Sequence, residues 1–124
     1  MSPATLRQKL FALIDKQLRL QQALARSRDK MIQGSLFQWY TACRKGNCKC
    51  TRGEKHGPFL YAAVTVKGKT IQRYVGKQED QGLVKKLKAY REFRKQRRDL
   101  KRINHRIEPL WEALQESLME GRLR

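Results

Sequence analysis

The chain has 124 residues, of which 29 are Lys or Arg and 11 are Asp or Glu, so that its formal net charge is +18. This length leaves room for one ordinary domain, or for a small module carried on long helices, and excludes two independent cores. The charge exceeds what solubility alone requires, and a pI near 10.5 is typical of domains that neutralise phosphates. We therefore expect a polyanionic partner, with a generic cationic surface as the alternative.

The composition also indicates the compartment. The first apolar stretch is interrupted by charged residues, which is unlike a secretory signal: Arg7, Lys9, Asp15, Lys16 and Arg19. No apolar run approaches the roughly 20 residues needed to span a bilayer. We expect a cytoplasmic protein without membrane contact, in which clustered cysteines more often hold metal than form disulfides.

A long N-terminal helix is predicted from Pro3 to about Met31. Its apolar residues recur every three or four positions, at Leu6, Leu10, Leu13, Ile14 and Leu18. Ser2 is a suitable N-cap, and proline at the first helical position already has the φ angle that a helix needs. The helix is expected to end before Gly34.

An aromatic stretch and a hairpin pattern follow. The stretch GSLFQWYTAC contains large side chains that we assign to the core of a small domain, with base stacking as the alternative: Leu36, Phe37, Trp39 and Tyr40. Residues 59–66 and 70–75 are rich in β-branched and aromatic types, and a KGK turn joins them. Because Gly68 can adopt a positive φ, this pattern predicts a β-hairpin.

The helical period returns from Glu79 onward. Its apolar stripe consists of Leu83, Leu87, Tyr90, Phe93, Leu100, Ile103, Ile107, Leu110, Leu114 and Leu118. The stripe predicts one long helix, or two helices that meet at Pro109, because proline removes a helical hydrogen bond. Arg97 and Asn104 replace apolar residues of an ideal heptad, which suits an imperfect coiled coil.

The two halves of this helix differ in charge. Between Lys85 and Arg106, the basic residues far outnumber the two acidic ones, Glu92 and Asp99. Beyond Pro109 the sign changes, with acidic residues spaced by four at Glu112, Glu116 and Glu120. We expect the basic half to face phosphates and the acidic half to pair with a basic helix. A solvated coiled-coil face is the alternative for the basic run.

All three cysteines and one of the two histidines fall in one segment, CRKGNCKCTRGEKH. The spacing Cys-x4-Cys-x-Cys-x5-His gives the candidate metal ligands Cys43, Cys48, Cys50 and His56. Three thiolates and one imidazole complete the tetrahedral shell of a structural zinc ion. The single residue between the second and third cysteines requires a turn at Lys49. The segment therefore predicts a structural Zn²⁺ site.

Other chemistry fits this segment less well. A redox pair favours Cys-x-x-Cys, and an iron–sulfur centre usually takes four cysteines. A closed shell of four protein ligands leaves no position for water or substrate, so the zinc would not be catalytic. The aspartates are scattered, at Asp15, Asp29, Asp80 and Asp99. We expect no enzymatic activity; a thiolate–imidazole pair of Cys48 or Cys50 with His56, or unliganded cysteines, are the alternatives.

The stretch from Ile32 to Tyr74 resembles a family of short bacterial proteins described as a domain of unknown function. It carries the motifs GSL, CRKGNCKC, HGPF, VKGKT and RYV. The resemblance implies that the same three cysteines and the histidine bind metal. It also implies that Gly57 and Pro58 form the turn that leads into the hairpin. Genes of this family often lie beside transposases, which implies a mobile-element setting. Phe59 stands where tyrosine is common, which excludes a hydroxyl role at this position.

Together these patterns predict an α+β fold. The N-terminal helix (1–31) and the basic C-terminal helix (79–124) are predicted to pack as an antiparallel helical hairpin. This hairpin carries a small module of zinc knuckle and β-hairpin (32–78). So small a module buries too little apolar surface alone, and metal binding can supply roughly 10 kcal/mol or more of folding energy.

The predicted function is non-catalytic binding of nucleic acid, with DNA favoured over RNA, as an accessory subunit of a mobile-element or recombination complex. The predicted phosphate contacts near the cysteines are Arg44, Lys45, Lys49, Arg52 and Lys55. Those on the C-terminal helix are Arg91, Arg94, Lys95, Arg98, Lys101 and Arg102. The alternative is an adaptor protein whose long helices pair with a partner protein or, as a homodimer, with a second copy.

Overall fold

The computed structural model describes residues 1–41, 53 and 55–121. The elements in chain order are α1 (Pro3–Arg26), β1 (Gly34–Thr41), β2 (His56–Val66), β3 (Lys69–Tyr74), a 3-10 turn (Gln78–Asp80) and α2 (Gln81–Leu118). The chain divides into two compact units. The helical unit comprises Met1–Arg28 and Phe93–Arg124, and the sheet unit comprises Asp29–Glu92.

Helix α1 begins as the sequence predicts. The Ser2 side chain accepts a hydrogen bond from the backbone N–H of Thr5 at 3.2 Å, and Pro3 occupies the first helical position. The helix ends at Arg26, which is earlier than predicted. The next residues, SRDK, offer no apolar side chain that could extend the buried face of the helix.

The core of the helical unit lies between α1 and the second half of α2. Leu10 and Leu13 of α1 form a buried cluster with Ile103 and Ile107 of α2. Partly buried apolar residues surround this cluster: Ile14, Leu20, Leu110 and Leu114. Asn104, a polar residue in the predicted apolar stripe, accepts a hydrogen bond from Gln17 at 2.7 Å. The polar interruption is therefore matched by a polar partner on the other helix.

The sheet has three antiparallel strands in the order β1-β2-β3. Strands β2 and β3 form the predicted hairpin, which is thereby confirmed. Lys67 and Gly68 turn between them with φ angles of 50° and 79°. Positive φ at both central residues is typical of the tight turns that match the twist of a hairpin. Strand β1 pairs with the other edge of β2 and has an irregularity between Trp39 and Thr41.

One face of the sheet packs against the first turns of α2. Ala62 of β2 and Val75, which directly follows β3, form a buried cluster with Val84 and Leu87. Further apolar residues pack around it: Ile32, Leu36, Leu60, Val64 and Leu83. The sheet unit therefore has a hydrophobic core that consists of one sheet face and part of one helix.

The predicted fold is wrong in its arrangement, although the chain is α+β. Among the described residues, the structure has an N-terminal helix, a three-stranded sheet and a long C-terminal helix in place of the predicted helical hairpin with a small module at its end. The three cysteines of the predicted zinc knuckle lie outside the described residues. Two features were misread from the sequence. Strand β1 was not recognised as a strand, and the apolar residues of α2 serve two cores rather than one continuous stripe. Helix α2 also continues through Pro109.

Candidate nucleic-acid interface

The predicted metal ligands are only partly described by the structure. Cys43, Cys48 and Cys50 lie outside the described residues. His56 is the first residue of β2, partly buried, and its register partner in β1 is Thr41. No group of three His, Cys, Asp or Glu that could hold a metal occurs among the described residues, which include none of the cysteines. The zinc site stays a prediction from the sequence.

Most of the basic residues predicted near the cysteines also lie outside the described residues: Arg44, Lys45, Lys49 and Arg52. Lys55 is described, and it is exposed directly before β2. The structure describes all six predicted phosphate contacts of the C-terminal helix. Each of them is exposed, with Arg91 in the sheet unit and the others in the helical unit: Arg94, Lys95, Arg98, Lys101 and Arg102.

The basic residues of α2 differ in their ionic partners. Arg102 approaches Asp99 at 3.8 Å, one helical turn away, and Arg94 also has an interaction partner. Within the described ranges, Lys95, Arg98 and Lys101 have no carboxylate at salt-bridge distance. These three side chains therefore present positive charge that the rest of the described structure does not neutralise.

Arg98 lies on the side of α2 opposite the apolar core of the helical unit, because a rotation of about 100° per helical residue places it away from the buried Ile103 and Ile107. Lys95 and Lys101 flank Arg98, each about one turn along the helix and rotated by about 60° from it. Lys101 also lines a groove with Leu24 of α1. The result is an exposed basic ridge on α2.

A second basic feature is a groove between α1 and α2 that sequence reasoning missed. Its volume is about 430 Å³, and four cations line it together with Asp99 and apolar carbons: Lys16, Arg19, Arg102 and Arg106. Arg19 also forms an ion pair with Asp15 at 3.0 Å. The basic residues of α1 could have been seen in the sequence, but their position beside those of α2 depends on helix packing.

A third feature is an aromatic face on the sheet. Because side chains alternate along a strand, Phe37 and Trp39 of β1 share a face with Phe59 and Tyr61 of β2 and with Tyr74 of β3. The residues of the sheet core, such as Leu36 and Ala62, have the opposite parity and face α2. The aromatic face is therefore the face of the sheet away from its core.

The aromatic rings contact one another across all three strands. The ring centroids of Phe37 and Tyr61 are 5.8 Å apart and the rings are stacked at 25°. Edge contacts extend this pair to Trp39 at 6.3 Å from Phe37 and to Tyr74 at 5.6 Å from Tyr61. Phe59 lies 6.3 Å from Tyr74. We call these five connected rings the aromatic platform.

The aromatic platform corrects the prediction that the large side chains of the stretch GSLFQWYTAC lie in a core. The sequence assigned Trp39 to a core, but its side chain is 53% exposed, and Tyr74 is 40% exposed. The period-two spacing of Phe37 with Trp39, and of Phe59 with Tyr61, is the signal that could have revealed a shared face.

These features define a small, strongly basic α+β protein with an exposed basic ridge, a basic groove and an aromatic sheet face. The chain belongs to the family described as Domain of unknown function (DUF6788), whose model matches residues 10–86. The matched span contains the complete sheet. No curated protein and no solved structure matches the chain. In the described part of the protein, neither helix is long and apolar enough to cross a membrane.

Proposed function

We propose that this protein binds nucleic acid by contacting phosphates and performs no chemistry of its own. The observation that carries the proposal is the basic ridge: Lys95, Arg98 and Lys101 are exposed on one side of α2 and lack a carboxylate partner within the described ranges. A solvated helix face usually mixes charges of both signs, whereas the run from Lys85 to Arg106 has eleven basic residues against Glu92 and Asp99. Phosphate groups supply the negative charge that such a ridge lacks.

The basic groove supports the same proposal from the other helix. Lys16 and Arg19 of α1 and Arg102 and Arg106 of α2 line one cavity, and Asp99 is its acidic member. A second groove of about 370 Å³ shares Lys16 and Arg106 and adds Lys9. Both helices of the helical unit therefore contribute cations, as expected for a surface that follows a chain of phosphates.

Salt dependence of binding tests this proposal. Neutralised phosphates release condensed counterions, so the logarithm of the association constant should fall linearly with the logarithm of salt concentration. Fluorescence anisotropy of a labelled oligonucleotide between about 50 and 200 mM salt measures the slope. An absence of binding to both duplex and single-stranded oligonucleotides at low salt would contradict the proposal.

We also propose that Cys43, Cys48, Cys50 and His56 hold one structural zinc ion. The donor set supports this, since three thiolates and an imidazole fill a tetrahedral shell. His56 begins β2, where the chain returns from the cysteine-containing segment into the sheet. The mobile-element setting implied by the resemblance would make the protein an accessory subunit of a recombination complex.

A second candidate function is protein assembly through the helices. Phe11 and Leu18 of α1 are exposed and seven residues apart, and so are Trp111 and Leu118 of α2. Residues spaced by seven share one face of a helix, which gives each helix an uncovered apolar strip. Helix pairing through such strips should persist at high salt. Sedimentation at about 0.5 M salt therefore separates it from phosphate binding, which weakens as salt rises.

A further inference from the structure

The aromatic face of the sheet has an unusual set of neighbours. By strand parity, the residues that share this face with the platform are small or polar: Ser35, Ala63, Thr65, Thr70 and Gln72. Among these positions there is no Leu, Ile, Val or Met, and the three strands contain no Asp or Glu. The accessible apolar area of the face is therefore formed almost entirely by aromatic rings, and no carboxylate of these strands would repel an anion.

Cationic residues stand at both ends of the sheet. Lys67 lies in the hairpin turn, while Lys55 directly precedes β2 at the opposite end of that strand. Both are exposed. A ligand that combines flat apolar groups with a regularly spaced negative charge would match both the rings and the cations. Nucleotides in a single strand have this combination.

We infer that the aromatic platform binds unpaired bases of single-stranded nucleic acid, an inference that rests on the proposed function and specifies its ligand. Every base has a π-face, so that stacking on aromatic side chains needs no particular sequence. Bases inside a duplex are already stacked and cannot reach the rings. The platform therefore selects single strands, whereas the basic ridge serves any polyphosphate.

The net charge of the chain argues against a second copy of the chain as the partner that covers the aromatic platform. Each copy carries a formal net charge of +18, so two sheet faces that meet would bring like charges together. The most accessible members of the platform are Trp39 and Tyr74. A base that stacks on either ring needs no rearrangement of the sheet core, because that core lies on the other face.

Tryptophan fluorescence tests the inference directly. The chain has two tryptophans, Trp39 on the platform and Trp111 on α2, so the Trp111→Phe variant leaves Trp39 as the sole reporter. This variant is titrated at low salt with oligothymidine, with oligouridine of the same length and with a blunt DNA duplex. Stacking predicts quenching by one or both single strands and little change with the duplex.

Alanine variants test whether single strands bind at the aromatic platform. Trp39→Ala and Tyr74→Ala should each weaken single-strand binding about tenfold, since a stacked base contributes this much or more to binding. Tyr40→Ala is the matched control, because Tyr40 is adjacent, 51% exposed against 53% for Trp39, and outside the platform. It should leave the affinity unchanged. Circular dichroism and urea midpoints confirm that all three variants keep the fold.

The possible outcomes separate this inference from the proposed function. Binding of duplex and single strands with equal affinity, without quenching of Trp39, overturns the platform and retains phosphate binding. No binding of either nucleic acid overturns both proposals. Self-association that Trp39→Ala abolishes, or quenching that Tyr40→Ala removes as fully as Trp39→Ala does, also overturns the assignment. Oligothymidine and oligouridine titrations together show whether the platform prefers DNA or RNA single strands.

Discussion

The guanidinium of Arg73 donates a hydrogen bond from Nη2 to Oδ1 of Asp80 at 2.9 Å. Arg73 lies on β3 and is largely exposed, whereas the Asp80 side chain is only 3% exposed. The pair therefore joins the edge strand of the sheet to the turn that precedes α2. Since a buried carboxylate without a partner is costly, this contact ties the start of α2 to the sheet.

Arg73→Ala should destabilise the protein by about 2 kcal/mol, because it leaves the buried Asp80 carboxylate without its cation. Urea denaturation measures the free energy of unfolding. Arg73→Lys keeps the charge and should recover part of the loss. The Arg73→Ala/Asp80→Ala double variant should lose less than the sum of the two single variants. Additive losses would show that the pair does not act as a unit.

Gly34→Ala should destabilise the protein by about 1 to 3 kcal/mol through overpacking. A Cβ atom at Gly34 would collide with the carbonyl oxygen of Ala63 and lie 2.9 Å from Cδ2 of Leu87. Backbone on one side and a buried side chain on the other leave little room to relax. Thermal and urea unfolding measure the change.

Gly82→Ala is the matched control for the preceding variant. A Cβ atom at Gly82 meets nothing within 4 Å, and the residue lies in the first turn of α2. Alanine favours the helix over glycine by up to about 1 kcal/mol, so the stability should stay the same or rise. Equal destabilisation by both variants would contradict the close approach of β1 and α2 at Gly34.

The Lys95→Gln/Arg98→Gln/Lys101→Gln variant should bind duplex DNA more weakly and with a shallower salt dependence. Each lost phosphate contact reduces the slope by about 0.9, so the loss of all three reduces it by about 2.7. The Arg7→Gln variant is a control that removes one exposed positive charge of α1 outside the basic ridge and outside both grooves. It should change the slope less than Arg98→Gln alone does. An unchanged slope in the triple variant would remove the basic ridge from the interface.

Metal analysis should find one zinc ion per chain, and His56→Ala should lower that content. His105→Ala is the matched control, because His105 is the other histidine and is exposed on α2. Removal of zinc with a strong chelator should lower the melting temperature, since metal binding contributes to folding energy. Well-folded protein without stoichiometric metal would contradict the zinc site. Equal loss of zinc in both histidine variants would contradict the assignment of His56.

The sequence was sufficient to predict the helices and strands whose apolar residues recur at a regular spacing. The start of α1, the long α2 and the β2–β3 hairpin follow from apolar spacing, from the Ser2 cap and from the turn at Gly68. Strand β1 was missed because Leu36 and Phe37 are both large and apolar, so the stretch does not alternate between polar and apolar residues. Which of its two faces meets the core becomes clear only when β2 pairs with it.

The candidate site could be predicted in composition but not in arrangement. Exposed basic residues such as Arg98 were visible in the charge run of the sequence. The groove was not visible, because Lys16 and Arg106 are far apart in the chain and meet only through the packing of α1 on α2. The platform likewise depends on the pairing register, which places Phe37 opposite Tyr61 and Tyr61 opposite Tyr74.

Helix α2 contributes Val84 and Leu87 to one core and Ile103 and Ile107 to the other. Neither core can keep its apolar contacts if its part of this helix melts, and melting spreads readily along a continuous run of helical hydrogen bonds. The shared helix thus couples the two units thermodynamically. Unfolding of the whole chain is expected to be one cooperative event, with a single heat-absorption peak in calorimetry.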